Sequence, residues 1–196
     1  MKSEVILSKF GDYNDIFIPL KNMTDKQQRI LEVALQLFAK EGYNSVTTAK
    51  IAKEACVSEG LIFKHFKNKE GLLDTIKQLL KEKLDKIGEE LVLIKDPKGI
   101  LKRAIEIIFE IDKNDYDCWR LQYQLKMDPN FNAFENKKPF IDLLTGVFTK
   151  LEYEDPSQEA FLFYYINDTT FLQLLEGNIS DKESYKQFLF KKYDLI

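Results

Sequence analysis

VTTAKIAKEACVSEGLIFKHFKNKEGLL, residues 46–73, is the stretch on which the reading of this chain turns. Thr47 or Thr48 offers a hydroxyl at the start of a short helix that runs to Ala55. Cys56-Val57 makes a tight turn, and Ser58 begins a second short helix reaching about His65. Ile51, Ala52, Val57, Ile62 and Phe66 are spaced to pack the pair onto a preceding helix, and the small Ala52 permits a close crossing. Lys50, Glu59, Lys64, His65 and Lys67 are left facing outward. Two capped helices, a short turn and a polar outer side are the sequence form of a helix-turn-helix.

Working outward, the chain keeps this helical period. Thr24 and Gln27 have capping-box spacing ahead of an apolar stripe at Ile30, Ala34, Leu37 and Phe38, with Gly42 at the end. Asn68 caps a long helix carrying Leu72, Leu73, Ile76, Leu80 and Leu84. Beyond Asp96-Pro97, further stripes run through Ile100–Phe109, through Tyr116, Trp119, Tyr123 and Met127 up to Pro129, and through Phe140–Leu151. Residues 158–176 are apolar almost all round and close at Gly177. Asp181 opens a last amphipathic helix. No stretch competes with a strand period, so the expected fold class is all-α. Residues 1–22 alternate apolar and polar residues without net charge and read as a loosely held extension, made optional if Met23 is the start.

Composition narrows the chemistry. Two cysteines sit far apart and one histidine stands alone, which leaves no material for a zinc site, a disulfide framework or a catalytic triad. No metal, no cofactor and no enzyme activity are expected. No apolar run approaches a membrane span, and the amino terminus lacks a secretory pattern, so a cytoplasmic protein is expected.

The formal net charge of −3 hides an uneven distribution. Residues 23–88 carry 12 Lys plus Arg against 9 acids, whereas residues 89–196 carry 14 against 20. A basic head on an acidic body suits a polyanion at one end only.

Residues 24–73 resemble the DNA-binding domain of the tetracycline-repressor (TetR) family of bacterial transcription regulators. The run from Val46 to Ala55, then Val57-Ser58-Glu59-Gly60, Leu61, the aromatic at Phe63, Phe66 and Lys69-Glu70 with Leu72 falls in family register. Two positions depart from it. Cys56 stands where the family usually has Gly, which implies a turn that does not need positive φ, or mild strain; the side chain is expected to be small, buried and apolar. Phe63 stands where Tyr is usual, so a hydroxyl for a phosphate contact is missing and His65 is the candidate replacement.

The resemblance implies a helix-turn-helix domain over 23–70 and a helical effector-binding and dimerisation domain over 71–196. By chemistry, Thr47, Thr48 and Ser58 present hydroxyls and helix N-termini to phosphate oxygens, and Lys50, Lys67 and Lys69 are candidate backbone anchors. Glu59, Gly60, Leu61 and Lys64 lie on the first turns of the second helix and are candidates for base edges. Glu59 suits a cytosine, Lys64 a guanine and Leu61 a thymine methyl. Spacing leaves open which of them face the groove.

In the body, 18 of the 25 aromatic residues lie beyond residue 88. The resemblance implies that the last two helices pair with those of a second copy. Phe161, Tyr164, Tyr165, Thr169, Leu172 and Phe188 are the candidates for that homodimer seam. It also implies an effector pocket, with Tyr116, Trp119, Tyr123 and Phe140 as walls and Arg120 and Gln124 as polar fixing points. Such walls favour a small apolar or aromatic organic effector. The expected function is that of a ligand-released repressor that binds a near-palindromic double-stranded DNA operator as a homodimer. The alternative is a ligand-insensitive DNA-binding structural or adaptor protein that recruits a protein partner through the body.

Overall fold

The computed structural model describes residues 23–126 and 133–196, and the extension 1–22 and the segment around Pro129 lie outside the described residues. Among the described residues there are nine α-helices and no strand: α1 Asp25–Glu41, α2 Thr48–Glu54, α3 Glu59–Phe66, α4 Lys69–Leu93, α5 Pro97–Glu110, α6 Tyr116–Lys126, α7 Ala133–Lys150, α8 Pro156–Glu176 and α9 Lys182–Lys192. Single 3-10 turns precede α2 and α6.

The helix ends are set by local chemistry. Thr24 and Gln27 satisfy each other's backbone donors in a capping box before α1. The Lys50 amide donates to the Thr47 hydroxyl at 3.2 Å, and the Gly71 amide to the Asn68 side chain at 2.8 Å. Asp96, Asp155 and Asp181 cap α5, α8 and α9 in the same way, with Pro97 and Pro156 in the first turns of the first two. Gly177 closes α8 at φ 77°, a left-handed conformation that costs glycine nothing.

By compactness the chain divides into two units. The first holds the described residues up to Lys81 together with Asp112–Leu125, and the second holds Glu82–Ile111 and Lys126–Ile196. In the first, Ile30, Leu31, Ala34, Phe38, Ile51, Ile62 and Leu72 are fully buried. Apart from the small Ala34, each such side chain stabilises the unit by about 1.5–3 kcal/mol relative to exposure. Helix α6 belongs to this unit. Its Trp119, Leu121 and Tyr123 are buried, and the Gln124 amide donates to the Ala39 carbonyl at 2.9 Å.

The second unit is built on one aromatic-rich core. Leu101 and Ile105 of α5, Leu144 and Phe148 of α7, Phe163 of α8 and Leu189 of α9 meet there. The Phe163 ring lies 5.0 Å from Tyr193 and 5.9 Å from Phe148, both at steep interplanar angles. Edge-to-face contacts of this kind add to area burial because ring edges are positive and ring faces negative. Arg103 ties α5 to the end of α4, its guanidinium 2.5 Å from Glu90 and 2.7 Å from Glu110.

Candidate nucleic-acid interface

The head surface is built by α2 and α3. The chain leaves α2 through hydrogen bonds from Ala55 to Ile51, from Cys56 to Lys53 and from Val57 to Ala52. Reversing within so few residues requires one left-handed residue, and Cys56 takes that place at φ 56°. Its side chain is exposed. Of the two readings of the turn, the mild-strain one holds, since Cys56 takes a positive φ; the expectation of a buried side chain is corrected, because Cys56 is exposed on the outside of the reversal. Ile62 and Phe66 anchor the inner side of α3, leaving Gly60, Phe63 and Lys64 outward at i, i+3 and i+4, with Lys67 just past the helix end.

The predicted contact residues separate into two groups. Thr47, Ser58, Gly60, Phe63, Lys64 and Lys67 are exposed. Ser58 stands at the N-cap position of α3, yet its hydroxyl makes no capping hydrogen bond; the expected cap is positional only. Lys53 on α2 is exposed as well, a cation the sequence reading passed over. The remaining candidates are half-buried and engaged within the protein. The Thr48 hydroxyl donates to Glu59 at 2.5 Å, tying the first turns of α2 and α3 together. Lys50 pairs with Glu41 at 2.6 Å. The Lys69 ammonium donates to the carbonyls of Tyr43 and Val46 at 2.9 and 3.0 Å and lies 4.3 Å above the Tyr43 ring. His65 packs against the Phe66 ring, 6.3 Å between centroids, and Leu61 is half-buried.

One residue outside the predicted set shapes the end of α3. A Cβ on Gly71 would lie 1.9 Å from the Phe66 carbonyl oxygen, far inside van der Waals contact. The corner between α3 and α4 therefore closes only around a bare Cα. The motif contains this glycine, but nothing in its spacing reveals that backbone meets backbone there.

In the second unit, the predicted seam residues lie along α8 and α9. Tyr165, Thr169 and Phe188 are exposed, whereas Phe161, Tyr164 and Leu172 are half-buried. Leu162, which the sequence reading did not single out, is 48% exposed and shares the Tyr165 and Thr169 side of α8 at i, i+3 and i+7. Tyr164 is drawn inward. Its hydroxyl accepts from Lys126 at 3.1 Å, and Lys126 also binds both Asp168 oxygens at 2.7 Å. Burial alone lowers the Lys126 ammonium pKa, but the hydrogen bonds to Asp168 and Tyr164 outweigh it and hold it above its ordinary value. Burial, aided by Asp168, pushes the Tyr164 phenol up.

The predicted pocket residues fall in different units. Tyr116, Trp119, Arg120, Tyr123 and Gln124 belong to the first, and Phe140 to the second, where its ring packs 6.2 Å from Tyr164. Trp119 and Tyr123 are buried, Tyr116 is half-buried, and exposed Arg120 lies 3.3 Å from Asp117. No helix among the described residues is long and apolar enough to cross a membrane.

The family described as "Bacterial regulatory proteins, tetR family" matches residues 30–76, the segment that contains α2, α3 and the Gly71 corner. The HTH-type transcriptional regulator YerO of Bacillus subtilis is 37% identical over 92 residues, covering 45% of this chain and 32% of YerO. The chain spans about a third of the length of the curated relatives that it matches at 34–48% identity. A fatty acid metabolism regulator protein of the same organism is 25% identical over 186 residues, covering 90% of this chain and 91% of the relative. Among solved structures, the regulator FadR from Bacillus subtilis in complex with stearoyl-CoA superposes with a TM-score of 0.64 at 22% identity, over 84% of this chain and 96% of that one. With the head matched by sequence and the all-helical architecture similar to that of solved regulators, the chain carries the helix-turn-helix domain of the tetR family of bacterial regulatory proteins.

Proposed function

We propose that the chain is a transcriptional regulator that binds an operator as a homodimer and is released from it by an effector with an apolar chain. The observation that carries the reading is the outer face of the head, where Gly60, Phe63, Lys64 and Lys67 stand exposed with Lys53 and the uncapped Ser58 hydroxyl. Three cations and a free hydroxyl suit phosphate oxygens, while a short, firmly seated helix is the shape that enters a major groove. Glu59 and Lys69 are assigned to holding the head together, because their polar atoms are already matched by Thr48 and by the Tyr43 and Val46 carbonyls, while Lys50 stays at the surface in its pair with Glu41. A second copy covers α8 and α9, whose exposed Leu162, Tyr165 and Phe188 would otherwise cost free energy in water.

For the effector, a long-chain acyl thioester is the first candidate, supported by the full-length likeness to a fatty acid metabolism regulator and the stearoyl-CoA held by FadR. Such a ligand releases DNA only by binding the off-DNA conformation more tightly. The test is fluorescence anisotropy with the gene's own upstream DNA. Expected are two copies bound per operator, an affinity that falls steeply with salt, and dissociation on adding stearoyl-CoA. No binding at low salt would remove the regulator reading. Binding that stearoyl-CoA leaves untouched would remove the thioester and keep the rest.

A further inference from the structure

Phe63 is the largest side chain on the outer face of α3 and is 47% exposed, although Ile62 and Phe66 on the same short helix are buried. The exposed half of the ring, set among lysines, costs free energy in water. It also has no hydroxyl or amide with which to bind a phosphate oxygen. One turn earlier, Gly60 carries no side chain, and the space where its Cβ would stand is empty. The backbone of α3 can thus approach a surface closely beside the ring, with Lys64 and Lys67 flanking it. Base edges in the major groove present hydrogen-bonding groups and a single apolar one, the 5-methyl group of thymine.

We infer that Phe63 is a specificity-determining residue whose ring covers a thymine methyl group, one in each half of the operator. This rests on the DNA-binding reading above and reassigns the methyl contact from Leu61, which is half-buried, to Phe63.

The experiment uses the full chain and a duplex that it selects from a random-sequence library. Each thymine is replaced in turn by deoxyuridine, which removes only the methyl group, and affinity is measured for the wild type, Phe63→Ala and Phe63→Tyr. One position per half-site is expected at which deoxyuridine weakens wild-type binding about fourfold, the worth of one buried methyl group. Phe63→Ala should bind the thymine duplex correspondingly less well and be indifferent to deoxyuridine there. Phe63→Tyr, which keeps the ring, should stay sensitive. A flat deoxyuridine scan for the wild type, or an undiminished response in Phe63→Ala, overturns the contact. If the wild type binds such duplexes with steep salt dependence but a flat scan, only the thymine contact fails. If it binds no duplex at low salt, the regulator reading fails and the contact falls with it. Circular dichroism of both variants should match the wild type, since Ile62 and Phe66, not Phe63, seat α3 in the buried core.

Discussion

Helix α3 and helix α8 both hold apolar side chains in water, but in different company. On α3 a single ring, Phe63, stands between a bare glycine and two lysines. On α8, Leu162 and Tyr165 share one side with Thr169, and α9 adds Tyr185 and Phe188 with rings 6.0 Å apart. The isolated ring suits a partner that is itself mostly polar and charged, with one apolar group to be matched. The stripe suits a surface as apolar as itself, which a second copy would supply by symmetry. The two regions also differ in how they are held. The head adds a glycine corner and lysine-to-carbonyl bonds to its buried core, whereas the core of the body is built of interlocking rings around Phe163.

The largest effect is expected where the head has least room. Gly71→Ala forces a methyl group against the Phe66 carbonyl and should cost about 3 kcal/mol, the upper end for overpacking. Thermal unfolding should show the head melting earlier, with DNA binding lost. An unchanged melting curve would mean that the corner opens freely and that α3 is not rigidly placed. Next comes the seam. Leu162→Glu puts a charge on the apolar stripe and should weaken self-association by about 2 kcal/mol or more, read by sedimentation. If it sediments like the wild type, α8 is not the seam and the contrast between the helices collapses.

A smaller pair of effects separates holding from binding within the head. Lys69→Ala removes two hydrogen bonds to carbonyls and should lower stability by about 1–2 kcal/mol. Lys67→Ala should leave stability alone and reduce the salt slope of DNA binding by about 0.9. Equal effects of both on the slope would return Lys69 to the phosphate contacts. The smallest change is expected from Cys56→Gly. A left-handed non-glycine residue costs roughly 1–2 kcal/mol, partly offset by the greater chain entropy that glycine loses on folding. A net gain of about 0.5 kcal/mol in chemical denaturation is expected.

These outcomes also mark which parts of the molecule were legible from residues alone. The helix starts at Thr24, Thr47, Asn68 and Asp181 could be read because capping is a matter of a side chain and the amides two or three residues on. The all-α class was legible for a related reason, since a 3.6-residue stripe needs only neighbours in the chain. Whether a polar residue is available was not legible. Glu59, Lys50 and Lys69 look alike with Lys64 and Lys67 in a sequence, and they part only when Thr48, Glu41, Tyr43 and Val46 are brought to them by folding.

By itself, then, the sequence determined the helical class, the capped helix starts, the basic head on an acidic body and the family register of residues 46–73. Those properties are local, or are sums over the chain, and need no knowledge of distant partners. The tertiary structure alone decided that Cys56 turns outward in a left-handed conformation, that Gly71 must be bare and that α6 is grouped with the first unit. It also decided that Phe63 rather than Leu61 faces solvent. Each depends on which surfaces meet across long sequence separations, where one carbonyl oxygen or one buried face settles what a residue type leaves open.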